Sequence, residues 1–204
     1  MKLRHTISVA ALALALSASL AACGEDGDST NTSGSDSETS MEETSSAGDQ
    51  AFGPGCSSIP ADGAGSFDGM ATEPVATAAS ANPLLKTLVT AVGEAGLVDT
   101  LNSAEGLTVF APTDDAFAKI PEKDLGAVLA DKALLTTILS HHVIEGRLGP
   151  DAVAGTHTTL AGDEVSVKGS GETFTVGDEN AAVLCGNIPT ANATVYVVDT
   201  VLMP

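Results

Sequence analysis

Two adjacent histidines and two adjacent aspartates are the residues of this sequence that could carry acid-base chemistry. His141 and His142 follow a leucine-rich stretch, whereas Asp114 and Asp115 follow a short apolar run. Side chains of neighbouring residues on a helix diverge by about 100°, so the two aspartates cannot converge as a catalytic pair. A helix N-terminus favours carboxylates, and a helix C-terminus favours a histidine. We therefore expect both pairs to serve helix ends.

The spacing around the histidines predicts how deeply they are buried. His142 stands three, four and seven residues after Leu139, Ile138 and Leu135, which is the spacing of one helix face. This pattern predicts a buried His142 that bonds to a carbonyl or carboxylate. His141 is expected at the rim of the same helix, as the more exposed of the two. Both are candidate interaction residues.

The motifs of common enzyme classes are missing from the sequence. It has no G-x-S-x-G elbow, no H-E-x-x-H pair and no phosphate-binding loop, and Ser140 lies within the predicted helix beside the histidines. We predict that the protein is not an enzyme and needs neither a cofactor nor a metal ion.

The first cysteine ends an export signal. Lys2 and Arg4 precede an apolar run over residues 7–22, and Cys23 directly follows Leu-Ala-Ala. This arrangement resembles the bacterial lipobox, so residues 1–22 are predicted to be a lipoprotein signal peptide and Cys23 the lipidated residue. Acyl chains on Cys23 would hold the protein at the cell membrane from the extracytoplasmic side.

The next segment has the composition of a flexible tether. Gly24 to Gln50 carries eight acidic residues, eleven Ser or Thr and no Lys or Arg, so it cannot bury enough apolar surface to fold. Residues 23–52 are therefore predicted to be a lipidated, disordered acidic tether. The net charge of the chain is −19, which excludes nucleic acid as a partner.

The two remaining cysteines are left as a pair. In an exported protein with Cys23 lipidated, a disulfide between Cys56 and Cys185 is the expected state. Neither belongs to a C-x-x-C motif, so the sequence gives little support for a redox or zinc role. We expect one folded domain over residues 53–204. The disulfide would link the beginning of this domain to one of its late strands.

The predicted secondary structure changes from helices to strands about halfway along the folded part. Thr108 to Ala111 is predicted to be a buried strand, Pro112 ends it, and Thr113 is suited to cap a short helix. Helical spacing dominates up to the histidines, and short strands with glycine-rich turns follow. Helices followed by strands indicate an α+β domain.

The segment Thr108-Val-Phe-Ala-Pro-Thr-Asp-Asp-Ala-Phe117 resembles the first signature of the fasciclin family. The resemblance spans about residues 69–204 and ends in a second signature over residues 193–204, and it implies a wedge of two small β-sheets with helices packed on one side. His142 takes the position of the family's helix-end histidine, and His141 replaces the preceding tyrosine. The structural motif residues implied are Thr108, Phe110, Pro112, Thr113, Phe117, His142, Tyr196 and Asp199. The entry Gly-Pro-Gly-Cys56 and the ending Val-Leu-Met-Pro204 look most like the mycobacterial secreted immunogenic fasciclin proteins and their lipoprotein relative.

The resemblance implies a binding function. We expect a lipid-anchored cell-surface module, with a monomeric domain, that acts in adhesion or protein interaction at a bacterial envelope. Its partner would be a protein or a component of the envelope or of a host surface. Two alternatives stay open: a module that holds a small apolar ligand or lipid, and a surface antigen without a dedicated partner.

Overall fold

The computed structural model describes residues 46–204. The predicted signal peptide, Cys23 and most of the predicted tether lie outside the described residues. A 3₁₀ turn at Pro54–Ser58 opens the domain. The helices are α1 Phe67–Ala71, α2 Val75–Ala81, α3 Lys86–Ala95, α4 Val98–Ser103, α5 Asp114–Ala118, α6 Glu122–Ala130 and α7 Lys132–His141. The strands are β1 Leu107–Pro112, β2 Val143–Glu145, β3 Gly155–Thr158, β4 Glu164–Ser170, β5 Thr173–Val176, β6 Ala181–Pro189 and β7 Ala193–Val198.

The strands follow one another in the order β2-β1-β7-β6-β5-β4-β3. The parallel pair of β1 and β7 lies beside the long strand β6, whose register shifts on both sides of Cys185. Such bulges bend a strand, so β6 continues from the first small sheet into the second. The far edges then approach each other, and Ile144 pairs with Thr159. The predicted α+β wedge of two small sheets is confirmed.

Two apolar clusters occupy the two faces of this sheet. The first lies between the sheet and the helices and includes Leu88 of α3 and Ile138 of α7. The second lies inside the wedge and contains Phe110, Phe174 and Tyr196. Because β1 and β7 contribute to both clusters, every residue of these two strands is buried. They are the rigid centre on which the helix ends are placed.

Residues 46–52 contact the folded domain. Phe52, expected in the tether, is 8% exposed and pairs with Gly186 of β6. The backbone N–H of Ala47 donates to the carboxylate of Asp68. The aromatic side chain of Phe52 packs in the second apolar cluster. The described part of the predicted tether, residues 46–52, thus contacts α1 and β6.

The first two helices are separated by a short break. The small apolar residues over 68–80 have the spacing of one continuous helix, but the structure has α1 and α2 with a break at residues 72–74. Pro74 disfavours helical geometry at the preceding residue and lacks the N–H that a continuous helix needs. The break is therefore a local effect of the proline.

Candidate functional site

The hydroxyl group of Thr108 holds the loop that follows β2. It donates to the carbonyl of Gly146 at 2.7 Å and accepts the N–H of Leu148 at 2.9 Å. Thr108 is fully buried between β2 and β7. A valine of the same shape would leave both backbone groups without their partner, and this explains why the strand carries a threonine here.

Phe110 and Tyr196 face each other in the register of β1 and β7, with ring centroids 5.9 Å apart. Both are fully buried. The hydroxyl of Tyr196 donates to the carbonyl of Leu148 at 2.9 Å, and burial raises the pKa of its phenol. Tyr196 therefore stays neutral and serves the core rather than proton transfer.

Two side chains in the turn after Pro112 bind the N-termini of two different helices. Thr113 accepts the N–H of Ala116 through its hydroxyl and so caps α5, whose Phe117 is buried. The carboxylate of Asp114 reaches another element, where it accepts the N–H of Thr87 at 2.7 Å in the first turn of α3. Both side chains therefore accept backbone N–H groups at helix N-termini, which is a common role of carboxylates and hydroxyls.

Asp199 ties the end of β7 to its surroundings. Its carboxylate accepts the N–H of Ala182 at 2.8 Å and pairs with Lys119, the residue that follows α5, at 2.9 Å. Partial burial would raise the pKa of Asp199, but the bonds from Lys119, Ala182 and Thr200 outweigh this effect and lower it. Asp199 is therefore ionised and joins β6, β7 and α5.

His142 is buried, with 2% of its surface exposed. Its Nδ1 lies 2.7 Å from the carbonyl oxygen of Ile138, and its Nε2 accepts the N–H of Leu202 at 3.0 Å. A carbonyl requires a donor and an N–H requires an acceptor, so the ring is the neutral tautomer with the proton on Nδ1. Burial lowers the pKa of His142 to about 4. The ring connects α7 to the C-terminal segment.

His141 is slightly more exposed than His142, as expected, but it is buried rather than placed at an open rim of the helix. His141 is only 5% exposed, and its Nδ1 lies 2.8 Å from Oδ1 of Asp163. The contact has the distance of an ion pair, but the ring N–H does not point along it, and Nδ1 has no aligned hydrogen bond. Helical periodicity could not reveal this burial, because the turn between β3 and β4 covers His141 from a distant part of the chain.

Asp163 is the partner that the sequence did not identify. Its carboxylate also accepts the hydroxyl of Thr159, the residue that pairs with Ile144 where the sheet edges meet. Partial burial would raise the pKa of Asp163, but the hydrogen bond from Thr159 and the close approach of the His141 ring outweigh it and lower the pKa. The cluster of His141, Asp163 and Thr159 therefore fastens the two ends of the sheet.

Asn192 was also missed, although its position between two predicted strands is typical of a turn residue. Its side-chain oxygen accepts the N–H of Val75 at 2.8 Å, and its nitrogen donates to the carbonyls of Leu101 and Ala104 at 2.7 and 2.9 Å. These partners belong to the ends of α2 and α4. One side chain in the turn between β6 and β7 thus connects two helices to the sheet.

The disulfide between Cys56 and Cys185 is present and joins the opening turn to β6. Cys185 is buried, next to the glycine that pairs with Phe52. Residues 46–204 contain no group of three His, Cys, Asp or Glu placed to hold a metal ion. None of the helices in this range has the length and apolar character needed to cross a bilayer.

Two small apolar cavities adjoin His142. One, of about 50 Å³, lies between the helices and the sheet, and the other, of about 60 Å³, lies under α6 and α7. Leu139 and His142 border both. Pockets that hold drug-sized ligands are typically about 300–1,000 Å³, so neither cavity is a ready-made site for such a molecule.

Comparisons with known proteins agree with this architecture. Residues 83–204 match the family model described as "Fasciclin domain". The chain is 47% identical over 161 residues to the "Cell surface glycolipoprotein MPB83" of Mycobacterium bovis, which covers 75% of this chain and 72% of that protein. It is 48% identical over 160 residues to the "Immunogenic protein MPB70" of the same species, with 74% and 81% covered.

A more distant likeness exists among solved structures. A FAS1 domain pair from the insect cell adhesion molecule fasciclin I aligns with a TM-score of 0.49 and 24% identity. The alignment covers 58% of this chain and 45% of that one, so it spans less than half of the insect protein's chain.

Proposed function

Because the chain belongs to the fasciclin family, we propose that it is a non-catalytic cell-surface module that acts in adhesion or protein interaction. Cys23 would carry the lipid that anchors it to the membrane. The observation that carries the proposal is the 47% identity to a protein named a cell surface glycolipoprotein, across 75% of this chain. The signal sequence and the Leu-Ala-Ala-Cys23 segment support the same location.

The contacts of the polar residues in the family signatures support a binding function rather than catalysis. Thr108, His142 and Tyr196 are buried, and their hydrogen bonds go to backbone groups of the same chain. Buried side chains whose hydrogen-bonding groups already have partners stabilise a fold, and they have no donor or acceptor left for a substrate. Recognition would then depend on the exposed surface that this scaffold displays.

The small cavities weigh against the alternative of an apolar ligand. Volumes of about 50 and 60 Å³ are below the roughly 150 Å³ of an engineered cavity that accepts benzene. A lipid chain would have to displace core residues such as Leu139. We therefore place protein interaction first and lipid binding second.

The anchor is tested by replacing Cys23. Cys23→Ala should block lipidation, so the protein should move from the detergent phase to the aqueous phase in a phase-separation assay or remain unprocessed. Ser19→Ala, a change outside the Leu-Ala-Ala-Cys segment, is the matched control and should stay in the detergent phase. A Cys23→Ala protein that is processed normally and stays membrane-bound would contradict the anchor.

The binding role is tested with the immobilised mature chain. We expect saturable binding to an isolated envelope fraction or to host matrix proteins, and a heat-unfolded sample should lose it. Native mass spectrometry of the purified protein provides the competing measurement. A co-purified apolar molecule, together with no saturable binding to either surface, would favour the ligand-binding alternative.

A further inference from the structure

A cleft of about 380 Å³ lies beside the disulfide, between the opening 3₁₀ turn and the start of α5. Its apolar lining includes Leu84, Leu184 and Val197. Asp114, Asp115 and Asp199 line it with carboxylates. The cleft is several times larger than either core cavity and is open to solvent, so a side chain of another molecule can enter it without disturbing the core.

The charges around this cleft are unbalanced. Lys119 is its only cationic lining residue among those described, and that ammonium group already pairs with Asp199 at 2.9 Å. Asp114 uses one oxygen to accept the N–H of Thr87. Asp115 is exposed, and its carboxylate forms no hydrogen bond or ion pair with the part of the chain that the structure describes. Negative charge therefore remains for a ligand beside an apolar surface.

We infer that this cleft receives an arginine side chain from an exposed basic segment of a partner protein. The inference rests on the proposed function and names the surface that would perform it. The aliphatic part of an arginine can cover Leu84 and Leu184, while its planar guanidinium binds carboxylates in a bidentate way. A lysine would offer a point charge and a weaker geometric match.

Charge also argues against two occupants that this protein itself could supply, namely its own tether and a second copy of the chain. The tether over Gly24 to Gln50 carries eight acidic residues and no Lys or Arg, so it is repelled by the cleft. A second copy of the chain has a net charge of −19 and is repelled as well. A basic partner is attracted both at long range and in the cleft.

The fold does not depend on Asp115. Thr113 supplies the cap of α5 and Asp114 supplies the cap of α3, which leaves Asp115 with only a helix-dipole role. Asp115→Asn keeps the shape of the side chain and removes its charge. Asp178→Asn is the matched control, because Asp178 is also exposed and does not line the cleft.

The test is an NMR titration of the ¹⁵N-labelled mature protein with the acetylated, amidated peptide Gly-Gly-Arg-Gly-Gly. The same peptide with citrulline in place of arginine is the neutral control of equal shape. We expect saturable shifts of the amides of Leu84, Asp115 and Leu184 with the arginine peptide alone. Asp115→Asn should raise the dissociation constant by about fivefold or more, since a charge-assisted pair is lost. Asp178→Asn should leave it unchanged.

Two results would overturn the inference. In the first, the amide shift changes are spread over all acidic surfaces, or the citrulline peptide causes the same changes as the arginine peptide. In the second, Asp115→Asn and Asp178→Asn change the dissociation constant equally. If either occurs while the mature chain still binds an envelope or host surface saturably, only the cleft assignment fails. If the peptide binds in the cleft but neither surface is bound, the cleft stands and the adhesion proposal fails.

Discussion

His142 is held in one protonation state by its two hydrogen bonds. The carbonyl of Ile138 takes the proton of Nδ1, and the N–H of Leu202 occupies the lone pair of Nε2. A proton added to Nε2 would meet the N–H of Leu202 and a fully desolvated site. Burial therefore lowers the pKa of His142 from 6.5 to about 4, against the opposing effect of the Ile138 carbonyl.

This pKa predicts a loss of stability in mild acid. The unfolded chain takes up a proton on His142 near pH 6.5, whereas the folded protein resists until about pH 4. Protonation thus favours unfolding as the pH falls through this window, and the stability is restored above it. The full shift corresponds to roughly 3 kcal/mol of unfolding free energy. Urea denaturation at pH 7, 6 and 5 checks this prediction and should show stability falling with the pH.

His142→Gln should flatten this pH dependence, because an amide does not titrate. The variant is also expected to be less stable at pH 7, since the new side chain cannot repeat both bonds. His157→Gln is the control and should keep the wild-type slope, because its ring is half-buried and bonds only to the carbonyl of Val153. A His142→Gln protein with the full wild-type slope would show that other groups cause the acid sensitivity.

The helices and the sheet are joined by side chains that lie at element ends. Asp114 reaches from the start of α5 to the start of α3, and Asn192 reaches from the turn between β6 and β7 to the ends of α2 and α4. Such bonds satisfy backbone groups that a helix end leaves without a partner. The packing of short helices, several of them only five to seven residues long, depends on them.

Asn192→Ala should therefore destabilise the domain by about 2–4 kcal/mol, because three hydrogen bonds to backbone groups are lost. Asn192→Asp provides a sharper comparison. It keeps the oxygen that accepts the N–H of Val75 but replaces the donor to Leu101 and Ala104 with a second oxygen that repels their carbonyls. We expect Asp to destabilise at least as much as Ala in chemical unfolding. A fully stable Asp variant would mean that only the contact to Val75 matters.

The domain that the structure describes contains a bent sheet whose two ends meet, and its opening segment is fastened to the middle strands. The cluster of His141, Asp163 and Thr159 fastens the edges. Phe52 and the disulfide fasten the opening segment to β6, the strand shared by both halves.

Removal of the disulfide should lower stability without removing the fold. The bond connects residues 129 positions apart, and on the chain-entropy account its loss costs up to about 5 kcal/mol. We expect the double variant Cys56→Ala and Cys185→Ala to unfold at lower temperature than the oxidised wild type. Both proteins should converge when the wild type is reduced, which adds about 2 Da to its mass. Free-thiol labelling of both cysteines in the native exported protein would contradict the bond.

The amino-acid sequence determined the local features of this protein. The run from Thr108 to Phe117 specifies a strand, a stop and a capped helix through β-branching, proline and a threonine cap, all of which act within a few residues. Leucine spacing placed His142 on a buried helix face for the same reason. The acidic composition of Gly24 to Gln50 and the position of Cys23 likewise yield predictions without a structure.

Only the tertiary structure decided which distant groups meet. The burial of His141 depends on Asp163, the cleft depends on the opening turn and α5 lying side by side, and Phe52 is buried because β6 offers Gly186. Each contact joins residues whose separation along the chain carries no periodic signal. Such contacts arise from sheet bending and loop closure, whose energies are summed over the whole chain. Local propensity thus predicts the elements, and the global packing of one core selects their partners.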